Sequence, residues 1–169
     1  MKKFELTAES KINIFGKKLF RIKALISFGD VEEGETGGWI EKEENLEQSS
    51  GDAWVYGDAE VYGDAEVYGN ARVYGNARVS GNAEVSGNAE VSGNADYTTI
   101  HGFGTQFRTT TFFQCEDKQI RVSCGCFLGT IPEFREQVKN TREGKIAEEY
   151  LMIADLMEKH FVKEKESGE

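Results

Sequence analysis

The chain has 169 residues, a formal net charge of −10 and a sequence pI of about 4.8. Its length suits one main domain with, at most, a small appendage. The acidic balance argues against a general nucleic-acid binder, because neutralising phosphates requires surplus lysine and arginine. We therefore expect no direct DNA binding.

The compartment is predicted from the absence of targeting signals and from the cysteine count. Residues 1–6 lack the apolar core of a signal peptide, and no stretch approaches the roughly 20 apolar residues that cross a bilayer. The three cysteines, Cys115, Cys124 and Cys126, are an odd number in a chain without a secretion signal. We expect a cytoplasmic protein with reduced thiols and no membrane association.

The first fifty residues divide into two segments. In residues 1–30, short apolar runs on either side of Gly16-Lys17-Lys18 predict an N-terminal β-hairpin. Residues 31–50 are acidic and irregular, and Ile40 and Leu46 lie six apart. We interpret this segment as a capping coil, because a repeat array exposes an unpaired sheet edge unless its end is covered.

Residues 51–98 consist of eight consecutive six-residue repeats, seven of the type Gly-Asp/Asn-Ala-x-Val-Tyr/Ser and a last one that reads Gly-Asn-Ala-Asp-Tyr-Thr. In the first seven the alanine and the valine lie two apart, so on an extended strand they share a face that we predict to be the core. The glycine and the following Asp or Asn form a corner. Three corners close a triangular coil of about eighteen residues.

Adding eighteen to each position predicts which outward side chains stack. The predicted stacks are Trp54 over Arg72 over Glu90, Glu60 over Arg78 over Asp96, and Glu66 over Glu84. Two faces thus alternate in charge. The third places two carboxylates together, and their repulsion costs a few tenths of a kcal/mol.

Residues 99–169 form the predicted C-terminal region, a β-hairpin followed by two α-helices. The hairpin strands are expected over 107–114 and 118–128. Thr130, Pro132 and Glu133 predict a capped helix start, and the first helix should run to about Asn140. A second amphipathic helix is expected between Gly144 and Phe161, followed by a mobile tail over 163–169.

The hexads resemble those of left-handed β-helix hexapeptide-repeat proteins, whose best-known members are trimeric acyltransferases. The resemblance implies a mainly β fold, with a short left-handed parallel β-helix between the N-terminal hairpin and the C-terminal hairpin and helices. It also implies a homotrimer. Together, residues 37–46, the hexads and residues 123–130 resemble a group of largely uncharacterised bacteriophage and prophage proteins. That similarity covers most of the chain and implies a viral origin, but it supplies no catalytic residues.

Catalysis and metal binding are both weakly indicated. An acyltransferase needs a general base, normally a histidine, beside a cleft, and only His101 and His160 are present. The hexads carry no loop that would build an acceptor pocket. The spacing Cys124-Gly-Cys126 is wrong for a zinc knuckle, and both thiols are expected to alternate with apolar residues on a core face of one strand. We predict no catalytic residue, no metal and no cofactor, with an acyltransferase using His101 as the alternative.

One group of outward residues mixes aromatic rings with guanidinium groups and is the predicted ligand-binding site. It comprises Trp54, Tyr56, Tyr62, Arg72, Tyr74 and Arg78. Such side chains can stack on a base and hold a phosphate. The alternative is that they are ladder residues or subunit contacts.

The leading hypothesis is a non-catalytic phage counter-defence protein that sequesters a small nucleotide-derived immune signal in pockets of a homo-oligomer. A second hypothesis is an acidic inhibitor that binds a host defence protein as a nucleic-acid mimic, based on the net charge and the acidic run from Glu32 to Glu47. A structural role in the virion is a third.

Overall fold

A computed structural model describes residues 1–162 of the chain, so the predicted tail over 163–169 lies outside the described residues. The strands are β1 (Phe4–Ile12), β2 (Lys18–Ala24), β3 (Thr36–Ile40), β4 (Trp54–Val55), β5 (Glu60–Val61), β6 (Glu66–Val67), β7 (Arg72–Val73), β8 (Arg78–Val79), β9 (Glu84–Val85), β10 (Glu90–Val91), β11 (Tyr97–Phe103), β12 (Arg108–Gln114), β13 (Ile120–Cys124) and β14 (Phe127–Thr130). The helices are α1 (Ile131–Thr141) and α2 (Gly144–Phe161).

Each of the first seven hexads contributes one two-residue strand, and the strands pair in parallel with a spacing of eighteen residues. Arg72 pairs with both Trp54 and Glu90, Arg78 pairs with Glu60, and Glu84 pairs with Glu66. The predicted register is confirmed for these pairs. The repeat alanines and valines from 53 to 91 are at most 1% exposed and form the core.

The eighth hexad departs from the prediction. Residues Asn94–Asp96 form a 3-10 turn, so Asp96 does not stack on Arg78. The side-chain oxygen of Asn94 instead accepts a hydrogen bond from the Arg78 backbone amide at 2.8 Å. This side-chain contact satisfies an amide that a further parallel strand would otherwise have paired.

The predicted fold class, a single left-handed parallel β-helix between two hairpins, is wrong. The strands form four sheets, β1-β2-β3-β5-β8, β10-β7-β4, β6-β9 and β11-β12-β13-β14. The first sheet is mixed, because β3 pairs antiparallel with β2 and parallel with β5. The edge of β5 offers unpaired backbone groups, and the N-terminal segment bonds directly to them. The fold is therefore mixed β with two helices.

The C-terminal region contains a four-stranded antiparallel meander where a hairpin was predicted. The expected strand over 118–128 is interrupted at Gly125, whose φ of 58° turns the chain between β13 and β14. Cys126 is consequently exposed and does not share a core face with Cys124. Phe113 packs in the core of the repeats, whereas Phe112 packs beneath the helices.

Both helices lie where the sequence predicts them. The Thr130 hydroxyl accepts from the Glu133 amide, and the Glu133 carboxylate accepts from the Thr130 amide at 2.7 Å, which completes a capping box. Phe134 and Tyr150 pack edge to face with ring centroids 5.8 Å apart. In the described residues, neither helix is long and apolar enough to cross a membrane.

Candidate functional site

The six residues of the predicted ligand site do not meet in one pocket. Trp54 lies in the core, and Tyr56 and Arg72 line a cavity on the face of the β10-β7-β4 sheet. Tyr62 and Arg78 lie on a different face, near the turn of the β1–β2 hairpin. Tyr74 is half-buried and lines none of the described cavities.

Trp54 faces outward from the repeat core but is fully buried by the N-terminal segment. Its ring packs edge to face against Phe28 and Phe4, with centroids 5.3 and 6.2 Å away. A Cβ on Gly37 would lie 2.6 Å from the indole, so the covering strand approaches very closely. Trp54 therefore presents no accessible face for stacking on a base, because Phe4 of β1, Phe28 and Gly37 of β3 cover its ring.

Tyr56 and Arg72 line a cavity of about 210 Å³ that is acidic overall. Arg72 Nη2 lies 2.5 Å from Asp30 Oδ2, and three further carboxylates line the same cavity. They belong to Asp52, Glu90 and Glu116. Arg72 already binds one carboxylate, and the other carboxylates of this cavity would repel a phosphate. The cavity is therefore a poor site for a phosphate.

Arg78 neutralises a buried carboxylate. Glu60 is 6% exposed and lies 3.6 Å from Arg78 Nε, 3.0 Å from Lys11 Nζ and 3.2 Å from the Asn13 amide nitrogen. Tyr62 is 8% exposed and contacts Phe15 of the hairpin turn. These contacts support the alternative reading of Arg78 and Tyr62 as ladder and packing residues.

The largest of the described cavities lies at the seam between the repeats and the C-terminal sheet, and we call it the seam cavity. Its volume is about 460 Å³, within the range of roughly 300–1,000 Å³ typical of small-molecule sites. The corner at Ser86 and Asn88 forms one wall. Cys115, Arg121 and the start of α1 near Glu133 form the other.

Two polar atoms, on residues that line the seam cavity, are buried without a hydrogen-bond partner among the described residues. They are Ser86 Oγ, on a residue that is 1% exposed, and Arg121 Nη1. The other terminal nitrogen of Arg121 lies 2.6 Å from Asp117 Oδ2. A buried polar atom without a partner costs about 1–3 kcal/mol, so both residues have an unmet hydrogen-bonding requirement beside this cavity.

Cys115 also lines the seam cavity, and burial raises the pKa of its thiol to about 11. The thiol is therefore protonated at neutral pH and is not a nucleophile, since only the thiolate reacts. It can act only as a weak hydrogen-bond donor or a small apolar contact.

Residue-level reasoning missed this cavity, although part of its signal is in the repeats. Ser86 occupies the hexad position that carries tyrosine in the earlier repeats, and it lies eighteen residues after Tyr68. Arg121 is the one arginine in the stretch from 109 to 134. Neither residue indicates that the chain folds back to bring the two together.

A second large depression, of about 390 Å³, has glutamates as half of its lining residues and is called the acidic groove. Its walls carry Glu43, Glu44, Glu47 and Glu66, with Tyr68 at one side. Glu84 stacks directly on Glu66, and burial together with the Glu66 charge raises the pKa of Glu84. The groove faces outward from β6, and cationic groups would relieve its repulsion.

The described residues bring together neither a cleft around His101 for catalysis nor a set of metal ligands. His101 Nδ1 lies 2.8 Å from the Thr109 hydroxyl on an exposed strand, and His101 lines none of the described cavities. Across residues 1–162, no three His, Cys, Asp or Glu side chains converge as a metal site would require.

Comparisons with known proteins give no family for this chain. No protein-family model matches it, and no curated protein matches its sequence.

Proposed function

We propose that this protein is a non-catalytic binding protein that sequesters a small nucleotide-derived molecule in the seam cavity. The observation that carries the proposal is a cavity of about 460 Å³ whose lining includes Ser86, Asn88 and Arg121, two of which carry a buried polar atom without a partner among the described residues. The proposed site thus differs from the aromatic group that the sequence indicates.

The chemistry of the cavity walls suits the base and ribose of a nucleoside better than its phosphates. Arg121 is already paired with Asp117, so it offers hydrogen-bond donors but no free positive charge, and Asn88 can both donate and accept. Glu116 and Asp117 line the same cavity, and carboxylates accept hydrogen bonds from ribose hydroxyls, as they do in dinucleotide-binding folds. A densely charged polyphosphate would be repelled by these same acids.

The resemblance to bacteriophage proteins supports the biological setting of the proposal. In that setting the protein acts in the cytoplasm of an infected host and removes a nucleotide signal of host immunity.

A homotrimer would carry one seam cavity per subunit. Exposed apolar residues Ile12, Ile14 and Phe15 at the hairpin turn support an association surface. Light scattering of the wild type and of Ile14→Lys tests this, with a trimer expected only for the wild type.

Isothermal titration calorimetry tests ligand binding, using micromolar protein and a panel of cyclic dinucleotides and ADP-ribose derivatives. We expect saturable heat with at least one ligand. Arg121→Gln should abolish that heat, whereas Arg72→Gln, the same change in the acidic Tyr56 cavity, should preserve it. No heat across the panel, or loss of binding only in Arg72→Gln, contradicts the proposal.

A second candidate function is the binding of a basic surface of a host defence protein, and the acidic groove favours it. The stacked pair Glu66 and Glu84, with Glu44 and Glu47 nearby, presents negative charge on a face whose self-repulsion a cationic partner would relieve. A pull-down from host lysate should recover a partner whose binding weakens steeply between low and high salt. Glu44→Gln with Glu47→Gln should weaken it, and the Arg121→Gln protein should not.

A further inference from the structure

A fourth cavity, of about 130 Å³, lies within the C-terminal region and is separate from the seam cavity. It is bounded by the turn between β11 and β12, the end of β13 and the junction of the two helices. Arg108, Cys124, Arg142 and Tyr150 contribute its side chains, and Gly104 contributes backbone. None of these residues lines the seam cavity or the acidic groove.

The two arginines of this cavity differ from every other arginine of the chain. Five of the seven lie within 4.0 Å of a carboxylate, and they are Arg21, Arg72, Arg78, Arg121 and Arg135. Arg108 and Arg142 form no salt bridge with residues 1–162. In a chain with 30 acidic residues, the two guanidinium groups without a carboxylate converge on the same small cavity. This arrangement leaves their charge for a ligand.

Only part of the donor capacity of the two arginines is used within the described chain. Arg108 donates to the side-chain oxygen of Gln106, and Arg142 Nη1 donates to the Thr141 carbonyl at 3.2 Å. A guanidinium carries five N–H donors in a planar fork that matches the oxygens of phosphate. Each arginine therefore retains donors for an oxyanion.

Two positive-φ glycines make room for the polar groups of the cavity. A Cβ on Gly125 (φ 58°) would lie only 1.8 Å from Arg108 Nη1, and one on Gly104 (φ 78°) would lie 2.6 Å from the Tyr150 hydroxyl. A side chain at either glycine would displace the group that packs against it. The Tyr150 hydroxyl is thus held beside the backbone, whereas Arg108 and Arg142 are exposed residues that border the cavity.

Tyr150 supplies a further donor. Tyr150 is 5% exposed, and its ring packs edge to face against Phe134. A tyrosine hydroxyl is protonated at neutral pH and can donate a hydrogen bond, and burial raises the pKa of Tyr150 further. Cys124 accepts a hydrogen bond from Thr110 Oγ1 at 3.3 Å, which keeps the thiol at the wall of the cavity.

We propose that Arg108, Arg142 and the Tyr150 hydroxyl bind one tetrahedral oxyanion of the phosphate type. A volume of 130 Å³ is below the roughly 300 Å³ of small-molecule sites, so the cavity admits the phosphate group alone. The phosphate is either free or the terminal group of a larger ester whose remainder stays outside. This site is independent of the sequestration proposed for the seam cavity.

The test is calorimetric and 31P NMR titration of the full chain with inorganic phosphate and, separately, with phenyl phosphate. Saturable binding is expected. Arg142→Gln should weaken it at least tenfold, and Tyr150→Phe, which retains the ring, should weaken it severalfold. Lys139→Gln removes the same charge from an exposed site on α1 and should leave the affinity unchanged. Tighter phenyl phosphate supports an ester as the ligand, and tighter inorganic phosphate supports the free ion.

Gly125→Ala provides an independent variant, because the added Cβ displaces Arg108 without removing a charge. It should lose affinity while α1 and α2 remain folded, as followed by circular dichroism. Absence of saturable binding of either phosphate at millimolar concentration overturns the proposal. An equal loss in Lys139→Gln and Arg142→Gln also overturns it, since that result would reflect net charge alone.

Discussion

Glu66 and Glu84 are direct neighbours across the parallel pair β6–β9, although every other charged pair stacked between hexads joins opposite charges. Burial raises the pKa of Glu84, and the Glu66 carboxylate adds to the shift. The repeat therefore places like charges together on one face, and that face borders the acidic groove.

The Glu66–Glu84 pair should make stability depend on pH. The folded pKa of Glu84 lies above its ordinary value of 4.5, so the folded state binds a proton more tightly than the unfolded state does. As the pH falls from neutral through the raised pKa towards 4.5, this group should increase the free energy of unfolding. Below the unfolded pKa no further gain is expected from it.

Glu84→Gln should remove the repulsion and stabilise the protein at pH 7 by about 0.5 kcal/mol. Urea denaturation measures the change, and the gain should shrink as the pH approaches 5. Glu90→Gln is the matched variant at the same hexad position. Since Glu90 stacks on Arg72, that change should destabilise the protein slightly. Equal effects of the two changes would contradict the assignment.

Trp54→Ala should destabilise the protein by about 3–5 kcal/mol, because it removes a fully buried indole from between Phe4 and Phe28. Trp54→Phe should recover part of this loss. Chemical denaturation measures both variants. An unchanged free energy of unfolding in Trp54→Ala would mean that the N-terminal segment does not cover the first coil.

Two corner glycines test the close stacking of the coils. Gly51 has a φ of 67°, and a Cβ there would lie 2.1 Å from the Gly69 carbonyl oxygen; at Gly57 the φ is 57° and the space is open. Gly57→Ala should cost only the left-handed backbone penalty of about 1–2 kcal/mol. Gly51→Ala should cost a further ~1–3 kcal/mol from the steric clash. Similar melting temperatures for the two variants would show that the corners do not stack.

The thiols should differ in reactivity. Cys115 is buried, with a thiol pKa of about 11, whereas Cys126 is exposed in a turn. At pH 7.5 iodoacetamide should modify Cys126 readily and Cys115 only after denaturation, since the thiolate is the reactive form. Peptide mass spectrometry locates the label. Rapid native labelling of Cys115 would contradict the seam geometry.

The sequence predicts only part of the candidate site. The conspicuous aromatic residues of the first hexads indicate a special surface, but Trp54 and Tyr62 are covered by the N-terminal strands and hairpin turn. Ser86 and Arg121 are unremarkable in the sequence, and they line one cavity only because the C-terminal meander returns to the last coil. There the Glu116 amide donates to the Asn88 carbonyl at 3.0 Å. Periodicity carries no information about such a contact, because it reports only local spacing.

The sequence by itself determined the hexad register, the inward alanines and valines, the glycine corners and both helices. Each of these follows from short-range stereochemistry: side-chain alternation on a strand, positive φ at glycine, and capping at a helix start. Only the tertiary structure decided that the strands divide into four sheets, that Trp54 is core, and that two unpaired arginines meet at Tyr150. Those outcomes depend on which distant segments cover each outward face, and many packings satisfy the same local pattern.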